Sequence, residues 1–72
     1  MTNRNQITIM QAIAKAERLG YVAKLSPDGT VLHFYTGEHD KPGTWLHLGR
    51  AKTRQGCVDA VTVSLLIGTD AQ

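Results

Sequence analysis

The sequence predicts an α+β domain: a three-stranded antiparallel sheet packed with two helices in the order α-β-β-β-α. Three observations predict it. Apolar residues recur at helical spacing near the start and stop at a glycine; two β-rich runs are joined by Ser26-Pro27-Asp28-Gly29; and a third apolar run follows a polar loop and ends at Gly49. The 72 residues form a single domain with one modest core, because a chain of about this size buries only about 60% of the surface its unfolded form exposes.

The first helix is expected over residues 6–19. Ile7, Met10, Ile13, Ala14 and Leu19 recur near its period, and Ala12 and Ala16 are strong helix formers. Met10 and Ile13 fall on the stripe expected to be buried. Lys15 and Arg18 sit where the macrodipole favours cations. Asn5 or Thr8 caps the start, and Gly20 is placed to take the left-handed conformation after the last turn.

Residues 21–25 and 30–35 then form a hairpin, with Pro27 presetting a type I turn and Gly29 at the left-handed position. Pairing Ser26 with Thr30 sets Leu25 opposite Val31, Ala23 opposite His33 and Tyr21 opposite Tyr35. The other side then holds Val22, Lys24, Leu32 and Phe34. Both sides carry apolar residues, and Val22, Leu32 and Phe34 make the oilier set. Residues 36–44 contain two Gly, one Pro and no apolar residue, so they are expected to be a mobile loop. Trp45 to Leu48 forms the third strand.

The last segment supports two readings. As a helix capped by Thr53, it places Cys57, Val58, Val61 and Leu65 on one stripe; as a strand, Val61 to Leu65 alternates with β-branched residues. The helix is adopted because a bare sheet would leave one oily surface uncovered. Residues 1–5 and 68–72 are expected to be a flexible N-terminus and a C-terminal tail.

Composition narrows the function classes. Eight Lys and Arg against six Asp and Glu give a net charge of +2, too small by itself to name a partner. Cys57 is the only cysteine, which excludes an internal disulfide and suits a reducing compartment. Gln6, Thr8 and Gln11 interrupt any signal-type apolar run, and Leu65-Leu66-Ile67 is far short of the ~20 residues a membrane helix needs. The expectation is a cytoplasmic protein with no membrane partner.

One local feature carries chemistry. Arg50, Lys52 and Arg54 are spaced two apart after the Trp45 strand, which in an extended chain puts all three charges on one side. Such a strip can meet phosphates or an acidic protein surface. Tyr35 and Trp45 flank the polar loop and are the aromatic residues expected to act as binding anchors.

The element order, with Gly49-Arg50-Ala51-Lys52-Thr53-Arg54 leading into the final helix, resembles the double-stranded-RNA-binding domain in outline. That resemblance implies that Lys52 and Arg54 meet phosphates from the N-terminus of the last helix. The chain departs from the family in two places: Gln55 and Val58 stand where further lysines belong, and the first hairpin loop lacks a histidine.

His33, His39 and His47 with Cys57 have zinc-ligand chemistry but no tight ligand spacing, so they read as ordinary strand and loop residues and no metal or cofactor is expected. Glu38 and Asp40 share only a loop, and no phosphate-loop, metalloprotease or nucleophile motif occurs. The protein is therefore expected to be a non-enzymatic binding module. A regulator or inhibitor that occupies another protein comes first, of the kind that bacterial or phage accessory proteins provide. Nucleic-acid binding through the basic strip is the alternative, and a homodimer or larger structural assembly the third reading.

Overall fold

Thr8 decides where the first helix begins in the computed structural model, which describes residues 5–68. The flexible ends expected at 1–5 and 68–72 lie, except for Asn5 and Gly68, outside those residues. The Thr8 hydroxyl accepts from the Gln11 amide at 3.0 Å, and the Gln11 side chain accepts from the Thr8 amide at 2.9 Å. This reciprocal cap satisfies two orphan donors. It starts α1 at Ile9–Arg18, later than expected, and leaves Gln6–Thr8 as a short strand, β1. Gly20 closes the helix with φ 86°: its amide donates to the Glu17 carbonyl at 3.2 Å, and the Tyr21 amide donates to that of Ala16 at 2.7 Å. The buried helix residues are Ala12 and Ala16. Ile13 packs against the core, but Met10 is 76% exposed, so its expected burial is corrected.

β2 (Val22–Leu25), β3 (Val31–Thr36) and β4 (Leu46–Lys52) make the expected antiparallel meander. The hairpin register differs from expectation by one residue, with Leu25 opposite Leu32, Ala23 opposite Phe34 and Val22 opposite Tyr35. The reason is the Asp28 carboxylate. It accepts from the Ser26 hydroxyl at 2.7 Å and from the Thr30 hydroxyl and amide at 2.8 and 3.1 Å, which keeps Thr30 in the loop. Ser26 therefore closes on Val31, its amide donating to the Val31 carbonyl at 2.8 Å, while Gly29 takes the anticipated positive φ of 77°. Because side chains alternate, the slip changes which residues oppose each other on each face.

The inner face holds Ala23, Leu32, Phe34 and Ala51, joined in one core by Ala12 and Ala16 of the first helix. Val22, expected beside Phe34, lies on the other side. Gly49 also faces inward, and a methyl added there would overlap the Leu66 side chain of the last helix.

The last segment is both of the structures its sequence suggests, in succession. Arg54 and Cys57 exchange backbone hydrogen bonds at 2.8 and 3.0 Å around Gln55 and Gly56, whose φ values are 53° and 78°. That is a two-residue hairpin turn with both central residues left-handed. It sends the chain into β5 (Cys57–Asp59), which pairs antiparallel with β1, and then into α2 (Ala60–Ile67). The cap of α2 is Asp59, not Thr53: its carboxylate accepts from the Val61 amide at 3.2 Å and the Thr62 hydroxyl at 3.1 Å. Thr53 instead braces the first hairpin, its hydroxyl donating to the Gly29 carbonyl at 2.6 Å. Val63 and Ile67 are buried, whereas Val61 and Leu65, expected on the inner stripe, are 50% and 81% exposed. The α-β-β-β-α order holds, with the β1–β5 pair added. Among the described residues no helix is long and apolar enough to cross a membrane.

Candidate nucleic-acid interface

The side of the meander away from the helices is open except at Val22, which is 1% exposed. Alternation and register place two cross-strand rows on it, Lys24–His33–Arg50 and Val22–Tyr35–His47, with Lys52 beyond them opposite Val31. Neither β2, β3 nor β4 contains an Asp or Glu. Lys24, His47, Arg50 and Lys52 are exposed, and His33 and Tyr35 are half-buried.

His47 reaches this side through an irregularity. Phe34 pairs with Gly49 but Tyr35 pairs with His47, so Leu48 is an extra residue on β4. A bulge of this kind re-aims the side chains that precede it. Strict alternation would have put Leu48 beside Tyr35. Instead the His47 ring lies 5.3 Å from that of Tyr35 and 5.2 Å from that of His33, centroid to centroid, and His33 Nδ1 is 3.1 Å from His47 Nε2.

Trp45 completes the ring cluster, 5.4 Å from Tyr35, with Lys24 Nζ 5.5 Å from the centre of its ring. Its indole N–H donates to the Glu38 carbonyl at 2.6 Å. The loop behind it is laced internally. The Thr44 hydroxyl accepts from the Glu38 amide at 2.9 Å and donates to the Lys41 carbonyl at 2.7 Å, and Pro42–Thr44 forms a 3-10 turn. Gly37, with φ 119°, runs so close to the Thr44 backbone that a methyl there would stand 2.6 Å from its carbonyl oxygen. The segment between Tyr35 and Trp45 is thus a hydrogen-bonded strap that orients the indole.

Of the residues singled out from sequence, Tyr35, Trp45, Arg50 and Lys52 come together on one face. Arg54 does not join them in the meander: it lies beyond Thr53, in the turn to β5. The phosphate-binding helix end implied by the double-stranded-RNA-binding resemblance is not formed either, since α2 opens at Ala60 under an acidic cap. Sequence reasoning missed Lys24, His33 and His47. For Lys24 and His33 the pairing partner was needed; for His47 the bulge hid the parity, and Gly49 within a strand was the available hint.

The remaining candidate ligands are dispersed. His39 Nε2 lies 3.4 Å from a Glu17 carboxylate oxygen at the surface, Cys57 is half-buried in β5, and among the described residues no three His, Cys, Asp or Glu side chains converge on a metal-sized site. Comparison with protein-family models, curated proteins and solved structures yields no match.

Proposed function

We propose that the protein binds single-stranded nucleic acid across the open face of its meander, as a binding module without a reaction of its own. The observation that carries this reading is the contiguous cluster of His33, Tyr35, Trp45 and His47 rings on a sheet face free of carboxylates and bordered by Lys24, Arg50 and Lys52. Unstacked bases have apolar faces that pack on such rings, and the cations neutralise the phosphates between them. A three-stranded sheet face offers no helix to enter a duplex groove, and suits two or three splayed bases instead. The protein-partner reading uses Tyr35 and Trp45 as anchors that insert into a pocket. Trp45 has its N–H committed to Glu38 and its ring against Tyr35, which makes the pair fixed plates for planar groups.

The test is anisotropy titration of a labelled oligothymidylate and of a duplex of equal length at several salt concentrations. Three neutralised phosphates give a log–log salt slope of about −2, at ~0.7 per contact for single strands. Tyr35→Ala or Trp45→Ala removes a stacking plate and should weaken binding by roughly fivefold to a hundredfold, from ~1–3 kcal/mol per stacked base. Absence of micromolar binding at physiological salt, or binding indifferent to these changes and to Arg50→Ala with Lys52→Ala, overturns the reading and returns the face to an acidic protein partner.

A further inference from the structure

A hydrogen bond between two imidazoles demands unlike nitrogens, one carrying a proton and one keeping a lone pair. His33 Nδ1 and His47 Nε2, 3.1 Å apart, therefore share one proton along their line. When both rings are imidazolium every nitrogen is a donor and the bond ceases to exist. The surroundings of the pair are cationic or neutral: Lys24 of β2 and Arg50 of β4 flank His33, Lys52 follows Arg50 on the same side, and Tyr35 is the cross-strand neighbour of His47. Glu38, in the strap, lies 3.6 Å from Lys41. The carboxylate-free strands leave an incoming phosphate as the natural counter-charge for an added proton.

We infer that the His33–His47 pair is a phosphate contact that takes up a proton from solvent as its ligand binds, an inference that rests on the nucleic-acid reading. Without ligand, the rings satisfy each other through one N–H. With a phosphate alongside, the added proton goes to the other nitrogen of the donor ring, which becomes imidazolium, keeps its N–H to its partner and turns the new N–H to a phosphate oxygen. Binding consumes a proton, so affinity rises as pH falls through the range in which imidazoles titrate, roughly pH 5–8.

The experiment is titration of an oligothymidylate carrying a pH-insensitive label at about pH 7.5 and about pH 5.5 at fixed ionic strength, a window in which only imidazoles among the side chains of this face ordinarily change charge. One linked proton raises affinity by up to tenfold per pH unit. A gain of about tenfold is expected across the window, reduced to less than twofold in His33→Asn or His47→Gln, whereas Tyr35→Ala weakens binding at both pH values without flattening the dependence. Intact binding with no pH dependence overturns the proton linkage and leaves the nucleic-acid reading standing; no binding at either pH overturns both. A ligand-free measurement tests the pair itself: nitrogen–nitrogen coupling across the hydrogen bond should be visible at high pH and vanish in acid. Its absence throughout overturns the inference whatever the oligonucleotide does.

Discussion

The two faces of the meander are built from the same three strands in alternation, and they differ less in oiliness than in size. The inner face sets Leu32 and Phe34 among Ala23, Gly49 and Ala51, so that both helices approach the backbone closely, Leu66 to the point of leaving no room for a side chain at 49. The outer face carries Lys24, His33, Tyr35, His47, Arg50 and Lys52 at the alternate positions, exposed or half-buried, beside Val22, which is fully buried. Small residues mark where another element docks; large rings with cations mark where none does. Counting apolar residues alone does not separate the two.

The largest contrast lies between neighbours. Phe34→Ala empties a fully buried site and should destabilise by ~3–5 kcal/mol, a large part of what a domain this size possesses. Tyr35→Ala, one residue on, should cost less than half as much in denaturant melts. Equal losses would erase the distinction between the faces. Next comes Gly49→Ala, which drives a methyl into Leu66 and should cost ~1–3 kcal/mol. Arg50→Ala beside it should stay within about 0.5 kcal/mol, as exposed charges do. Adding Leu66→Ala to Gly49→Ala should recover part of the loss if the overlap is its cause.

A smaller effect concerns the loop that sets the register, and through it the cross-strand pairs. Hydrogen bonds from the Ser26 hydroxyl first, then from Thr30, hold the Asp28 carboxyl below its ordinary value of 3.8. A group depressed in the folded state contributes stability above its unfolded value and loses it as pH falls through the folded one. The hairpin should thus loosen below pH 3.8, and Asp28→Asn should remove that acid step, followed by the amide shifts of Thr30 and Val31. The smallest change lies off both faces. Gln55 holds φ 53° in the tight turn before β5, where an L-residue is strained by ~1–2 kcal/mol. Gln55→Asn or Gln55→Gly should raise stability by up to about 1 kcal/mol, and a neutral or destabilising result would reject that turn geometry.

Much of this architecture was legible. The helix ending at Gly20, the meander and its left-handed Gly29 follow from periodicity and turn chemistry. The register did not, because one carboxylate with three hydrogen bonds lengthened the loop. Nor did the change from strand to helix at Asp59: a Gln-Gly turn is an uncommon form of the Asn-Gly signal, and strands of three residues carry no readable period. At the candidate site, spacing identified Arg50 and Lys52, and flanking of the loop identified Tyr35 and Trp45. Lys24, His33 and His47 joined them through pairing and a bulge, which are properties of two strands together.

The β1–β5 pair has a consequence for the order of assembly. Each hairpin of the meander closes a short loop, whereas Gln6 must find Asp59 across most of the chain; closure entropy rises by about 0.6 kcal/mol for each doubling of loop length, and three residues a side return little for it. The meander is therefore expected to form first and the pair to close last, which a later onset of amide protection in β1 and β5 would record. That late clasp governs both helices, because the Ile9 amide donates to the Gly56 carbonyl at 3.0 Å and the Ala60 amide donates to the Asn5 carbonyl, so each helix begins against the residue that precedes the other's strand. A chain caught before the clasp closes has both covers ajar, with Leu32 and Phe34 facing water or another unfinished copy.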